Sequence, residues 1–194
     1  MKIKLKNVRL KYEDLFEAVK FNGEENSNPR YSATFLIPKG SALDKELSKA
    51  ISDLAVEKMG KKAEAAIKAW SASNQKCCYT DGDLRDSSDE SFEGHMVLGC
   101  HRGEASGAPM VVDRNPEVRL TSKDGRPYPG CYVNATVDLW IQTKTYQGIR
   151  ATLIAVQFAQ DGEAFTTAPA RVADGDFDDL SEGTDEEDDF FQDA

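Results

Sequence analysis

The feature that most constrains this chain is a stretch of strict two-residue alternation near its C-terminal third. In residues 131–140, Cys131, Val133, Ala135, Val137 and Leu139 alternate with Tyr132, Asn134, Thr136, Asp138 and Trp140. Successive side chains of a strand point to opposite faces, so this is a strand with one buried side. Residues 148–158 follow and are apolar on both faces, which predicts a central strand. A helix-only fold is thereby excluded.

The N-terminal segment alternates too, but its phase slips. Ile3 and Leu5 sit between lysines, and then Val8, Leu10 and Tyr12 alternate with Arg9 and Lys11. A one-residue slip predicts a β-bulge and a bent strand, with the five basic residues gathered on one side. Residues 22–29 read as a polar loop and 31–37 as a second strand, with Tyr31, Ala33, Phe35 and Ile37 on one face. Ser41 followed by Asp44 resembles a capping box. Leu43, Leu47, Ile51, Leu54 and Met59 recur at helical spacing, and Ala63, Ile67 and Trp70 continue it after Gly60. This predicts one long helix or two broken at Gly60, with Trp70 as a packing anchor. Residues 77–91 read as a solvated loop, 92–100 as a strand, and 109–113 and 117–121 as short strands.

Strands, an inserted helix and more strands predict a mainly β (α+β) chain. The expected form is an OB-fold β-barrel over residues 1–169, with the helical insertion at about 41–70. A β-sandwich fits the same strand pattern.

Charge divides the chain sharply. The formal net charge is −10, but residues 174–194 hold eleven acids and no Lys or Arg. The remaining 173 residues carry 23 acids against 24 bases. A near-neutral body therefore precedes an acidic, disordered tail over 170–194. Phe177, Leu180, Phe190 and Phe191 punctuate the acid around Asp188 and Asp189. Solubility alone does not require such residues, so the tail reads as a docking arm for partner proteins and an internal competitor for cationic surface.

No apolar run approaches the roughly 20 residues that span a bilayer, and the N-terminal segment lacks a signal peptide's apolar region. The expected setting is the cytoplasm of a bacterial host cell, without membrane contact. The four cysteines form no CxxC pair, which argues against a zinc ribbon. No metal and no cofactor are expected, and reduced structural thiols fit best. Asp81, Asp83, Asp86, Asp89 and Glu90 raise a metal-dependent nuclease as an alternative, but their spacing lacks a calcium-loop pattern and a solvated loop is favoured. There is no GxSxG, HExxH or P-loop motif, so nothing demands an enzyme.

Binding chemistry is better supported. Single-strand binders combine cations for the backbone with aromatic faces on which bases stack. Tyr132 and Trp140 share the outward face, with Tyr128 and Tyr146 in flanking turns beside Arg126 and Lys144. Arg150 lies on the following strand, and Lys4, Lys6, Arg9 and Lys11 complete a cationic groove. The competing reading is a protein-interaction or DNA-mimic module acting on a host DNA-binding protein.

Residues 128–140 (YPGCYVNATVDLW), Gly148-Ile-Arg150, Val156-Gln-Phe158 and Asp161-Gly-Glu163 carry a resemblance. So do Ser32-Ala-Thr-Phe-Leu-Ile-Pro38, Phe92-Glu-Gly94 and Pro109-Met-Val-Val-Asp113. Together they resemble a phage and prophage family of OB-fold single-stranded-DNA-binding proteins, over roughly residues 1–169. The resemblance implies sequence-independent binding of single-stranded DNA in phage replication and recombination. It also implies an acidic tail that engages phage or host replication proteins; homodimerisation is a further expectation. Such tails commonly finish on an aromatic residue, whereas this one runs on through Gln192, Asp193 and Ala194.

Overall fold

The first strand, β1 (Lys2–Val19), reaches two neighbours only because it bends. It pairs antiparallel with β6 (Tyr132–Gln142) and, further along, with β2 (Arg30–Pro38) in a computed structural model that describes residues 1–20, 27–85 and 89–165. Leu5 faces Ala135 and Val8 faces Val133, so β1 carries one extra residue there. Asn7 takes left-handed backbone at φ 50°, and its N–H donates to Asn134 Oδ1 at 2.9 Å. Asn tolerates that region better than most residues, so the slip in the sequence is a bulge as expected.

A second bulge was not visible in the alternation. Leu10 faces Phe35 and Tyr12 faces Thr34, which leaves Lys11 as an extra residue. The expected facing reverses beyond it: Lys11 is buried at 4% exposure and Tyr12 is 51% exposed.

The strand order β4–β2–β1–β6–β7 closes through a parallel contact of β4 (His95–Gly103) with β7 (Gly148–Gln160), at His101 and Thr152. This is a five-stranded OB-type barrel and not a sandwich. Short β3 (Tyr79–Asp81) extends the sheet beyond β4, and β5 (Met110–Val112) runs parallel to β7. Val133, Ala135, Val137, Leu139 and Ile141 of β6 point into the core, as the alternation required. β7 pairs with β6, β5 and β4, which explains its apolar residues on both faces.

Ser41 caps α1 (Ala42–Met59), its Oγ accepting from the Asp44 N–H at 3.2 Å. The helix breaks at Gly60 and resumes as α2 (Ala63–Ser71). Leu47, Ile51, Leu54 and Trp70 join the barrel core, so Trp70 is a packing residue. Two smaller expectations fail. Residues 77–91 contain β3, whose three residues are too few to show a period, and a helical turn at Glu90–Phe92. Residues 117–121 form only a bridge from Arg119 to Val112.

All four cysteines are free thiols, and burial pushes the Cys131 thiol up to about 11. No helix among the described residues is long and apolar enough to cross a membrane. The tail positions Phe177, Leu180, Asp188, Asp189, Phe190 and Phe191 lie outside the described residues, as does Asp86.

Candidate nucleic-acid interface

Apart from Lys4 and Lys6, the candidate residues divide between two ends of the β6–β7 hairpin. Tyr132 and Trp140 are eight residues apart on one strand, roughly 26 Å. No single pocket brings all of them together.

At one end the cations and rings satisfy each other. The Arg9 guanidinium donates to Gly130 O at 3.2 Å and to Glu163 O at 2.7 Å. It also lies 4.3 Å from the Phe165 ring centre and 5.8 Å from that of Tyr132. Arg126 pairs with Asp113 at 3.0 Å, and its guanidinium sits 5.4 Å from the Phe158 ring. The Tyr128 hydroxyl lies 3.1 Å from both Asp161 Oδ1 and Gly162 O, sharing its one proton between them, and accepts from the Gly162 N–H at 3.2 Å. Gly130 and Gly162 permit this closure: a Cβ at Gly130 would sit 2.1 Å from Glu163 O, and one at Gly162 would sit 2.2 Å from Gly130 O.

Lys11 corrects the sequence reading. It is no groove cation, because the second bulge turns it inward to meet Asp89 at 2.7 Å. Its ammonium lies 4.1 Å from the Phe165 ring centre and 5.6 Å from that of Phe92. The Lys11 ammonium, helped by Ser91, lowers the Asp89 carboxyl to about 2. A buried cation needs such a partner.

The other end is open. Trp140 is 41% exposed, with its Nε1–H donating to Thr152 Oγ1 at 3.1 Å. Arg150 lies directly across from Trp140 on β7 and donates to the carbonyls of Gln75 and Tyr146. Those partners are neutral, so the guanidinium charge is not cancelled by them. Tyr146 is 82% exposed and has a φ of 58°. A bulky side chain in left-handed backbone costs on the order of 1–3 kcal/mol, and such strain concentrates at functional sites. Here it holds an aromatic ring in solvent, next to exposed Lys144.

From Trp140 an outward row runs around the barrel. Thr152 faces His101 on β4, His101 faces Ser32 on β2, and the Ser32 hydroxyl donates to Asp14 Oδ2 at 2.5 Å. The row therefore crosses β2 and β4, the strands on which OB-folds commonly carry single strands, and the 143–147 loop flanks it. The sequence did not single out Ser32, His101 or neighbouring Arg30 of this row, because scattered polar residues on a strand look like any solvated face. Lys4 and Lys6 lie elsewhere. They line a groove of about 280 Å³ with Asn134, Thr136 and Gln157 on the β1–β6–β7 outer surface.

Three acidic residues of the 81–90 stretch are engaged: Lys39 bridges Asp81 and Asp83, and Asp89 holds Lys11. Among the described residues no three His, Cys, Asp or Glu side chains gather in a metal-binding group.

Comparison with known proteins agrees with this architecture. A single-stranded DNA-binding protein from bacteriophage Enc34, solved in complex with ssDNA, superposes with a TM-score of 0.68 at 26% identity. That match covers 85% of this chain and 89% of the other. The single-stranded DNA-binding protein gp2.5 of bacteriophage T7 shares the fold, at a TM-score of 0.52 and 13% identity over 86% of this chain and 95% of its own. Protein p50 of Acyrthosiphon pisum secondary endosymbiont phage 1 is 39% identical over 189 residues, 96% of this chain and 98% of that one. The model of the Enterobacter phage Enc34 ssDNA-binding protein family matches residues 1–191, and the chain belongs to that family.

Proposed function

We propose that this protein is a non-enzymatic, sequence-independent binder of single-stranded DNA, serving phage DNA replication and recombination. The strand lies along the open end of the hairpin and the outward row over β7, β4 and β2. Bases stack on Trp140 and Tyr146, while Arg150 and Lys144 meet phosphates. Stacking accepts every base because each has a π-face, and that accounts for the absence of sequence preference. The observation that carries the reading is Tyr146, an aromatic ring held in solvent by strained backbone beside a cation and a second exposed ring.

The acidic tail has two roles in this reading. It competes with DNA for the cationic surface, and it docks partner replication proteins through Phe177, Leu180, Phe190 and Phe191. Gel shifts with full-length protein and a variant lacking residues 174–194, on single and double strands across a salt series, test strand binding and the tail's competition. Single strands of any sequence should bind, more weakly as salt rises. The shortened protein should bind more tightly. If the shortened protein ignored single strands at low salt, the reading would be lost.

A further inference from the structure

The outward row does not account for the largest hollow among those described. A cleft of about 690 Å³ opens between Tyr12 on β1 and the turn that follows α2. Tyr12 and Leu84 form its exposed lips, at 51% and 82% exposure, and buried Phe92 lies at its base. The Tyr12 and Phe92 rings are 6.3 Å apart and inclined at 50°. Asn74 and Gln75, both exposed, border the opposite wall. Arg85 closes one side, and Asp81, whose carboxylate is paired with Lys39, also lines the cleft. The Arg85 guanidinium lies 5.0 Å from the Phe92 ring centre and donates to Thr80 Oγ1 at 3.2 Å, while its Nε is buried without a partner.

The 73–76 turn links this cleft to the open end of the hairpin. The turn bearing Asn74 and Gln75 is fastened there by Arg150, which donates to Gln75 O, and by Ile149, whose N–H donates to Lys76 O at 2.8 Å. Gly148 permits that approach, since a Cβ there would sit 2.2 Å from Lys76 O. The helical insertion thus presents a polar turn between two aromatic stations, Trp140 with Tyr146 on one side and Tyr12 with Phe92 on the other.

We infer that the cleft is a second nucleotide subsite on the same strand path. It takes one base of single-stranded DNA, stacked on Tyr12, with the polar edge of the base toward the amides of Asn74 and Gln75. Arg85 supplies positive charge beside that nucleotide. The mixture fits a nucleobase: an aromatic face for stacking, amides that both donate and accept, and a cation. The inference rests on the single-strand reading and extends it, because it makes the insertion part of the binding face.

The test uses full-length protein and oligothymidylates of increasing length, read by fluorescence anisotropy. Loss of one stacked base weakens binding roughly five- to hundred-fold. Tyr12→Ala should show that loss on long strands and none on strands too short to reach past the 73–76 turn. Tyr12→Phe, which keeps the ring, should bind like the unaltered protein. If the unaltered protein binds long strands and Tyr12→Ala matches it, the cleft assignment is overturned and the single-strand reading stands. If the unaltered protein binds no strand of any length, both fall. Photocrosslinking of the unaltered protein to 5-iodouracil oligonucleotides removes dependence on the variant's fold. An adduct at Tyr12 supports the subsite, and adducts confined to Trp140 and Tyr146 overturn it.

Discussion

The two ends of the β6–β7 hairpin are built from the same residue types and are put to different uses. At the Tyr132 end, Arg9, Arg126 and Lys11 meet carbonyls, carboxylates and ring faces. At the Trp140 end, Arg150 donates among the described residues to neutral carbonyls, and two rings stand in solvent. A cation next to an aromatic is therefore not a binding signal by itself. What distinguishes the ends is whether the chain satisfies its own groups.

Removing a partner from the closed end should have the largest effect. Asp89→Asn leaves the Lys11 ammonium buried without its carboxylate, an imbalance that costs on the order of 3–5 kcal/mol. Thermal and chemical unfolding should register that loss, while affinity for DNA, measured well below the transition, stays within a factor of a few. The same pair sets an acid limit. The folded Asp89 carboxyl is lowered to about 2, below the roughly 3.9 of an unfolded aspartate. Its contribution is complete above that unfolded value and disappears as pH falls toward 2. A stability profile in acid should steepen over that interval, and less so in a Lys11→Met variant.

Trp140→Ala should do the reverse. It removes a stacking face and should weaken single-strand binding by about 1–3 kcal/mol, with little change in unfolding. Tyr132→Ala, eight residues away on the same face, should leave binding nearly intact. Equal losses from the two would erase the contrast between the ends.

Much of the barrel was legible because alternation reports directly on burial. The inward row of β6, the first bulge of β1 and the cap at Ser41 all follow from residue spacing. The second bulge was not legible, since Lys11 and Tyr12 preserve the alternation while exchanging faces. Only the pairing with Phe35 and Thr34 on β2 reveals it. For the proposed site, Trp140, Lys144, Tyr146 and Arg150 were identifiable as candidates because they are aromatics and cations close in sequence. Arg126, Tyr128 and Tyr132 carried the same signature and are engaged by the chain itself, because their partners, Asp113, Asp161 and Arg9, are distant in sequence or look unremarkable there. The PGC and DGE segments, which made the resemblance recognisable, serve this closure: their glycines let two backbones touch.

Salt dependence separates the ends more finely. Each phosphate contact on a single strand contributes a slope of about −0.7 in log affinity against log salt. Lys144→Ala should reduce the slope by about that amount, whereas Arg126→Ala should leave it unchanged, since Arg126 is already neutralised by Asp113.

The smallest effect is expected at Lys4 and Lys6. They belong to neither end, lying along the middle of the hairpin's outer surface with Lys4 opposite Thr136. Thr136 is four residues from Trp140 along β6, roughly 13 Å. That exceeds the Debye length of about 8 Å at physiological ionic strength, so their charge reaches a strand at Trp140 only in dilute salt. A Lys4→Ala, Lys6→Ala double variant should therefore lose a few-fold in affinity at low salt and almost nothing at physiological salt. A loss beyond about ten-fold at physiological salt, converging with that of Trp140→Ala, would mean the strand crosses β1 and β6. The groove beside Asn134 and Gln157 would then belong to the path, and the open surface would extend from the Trp140 end toward Tyr132.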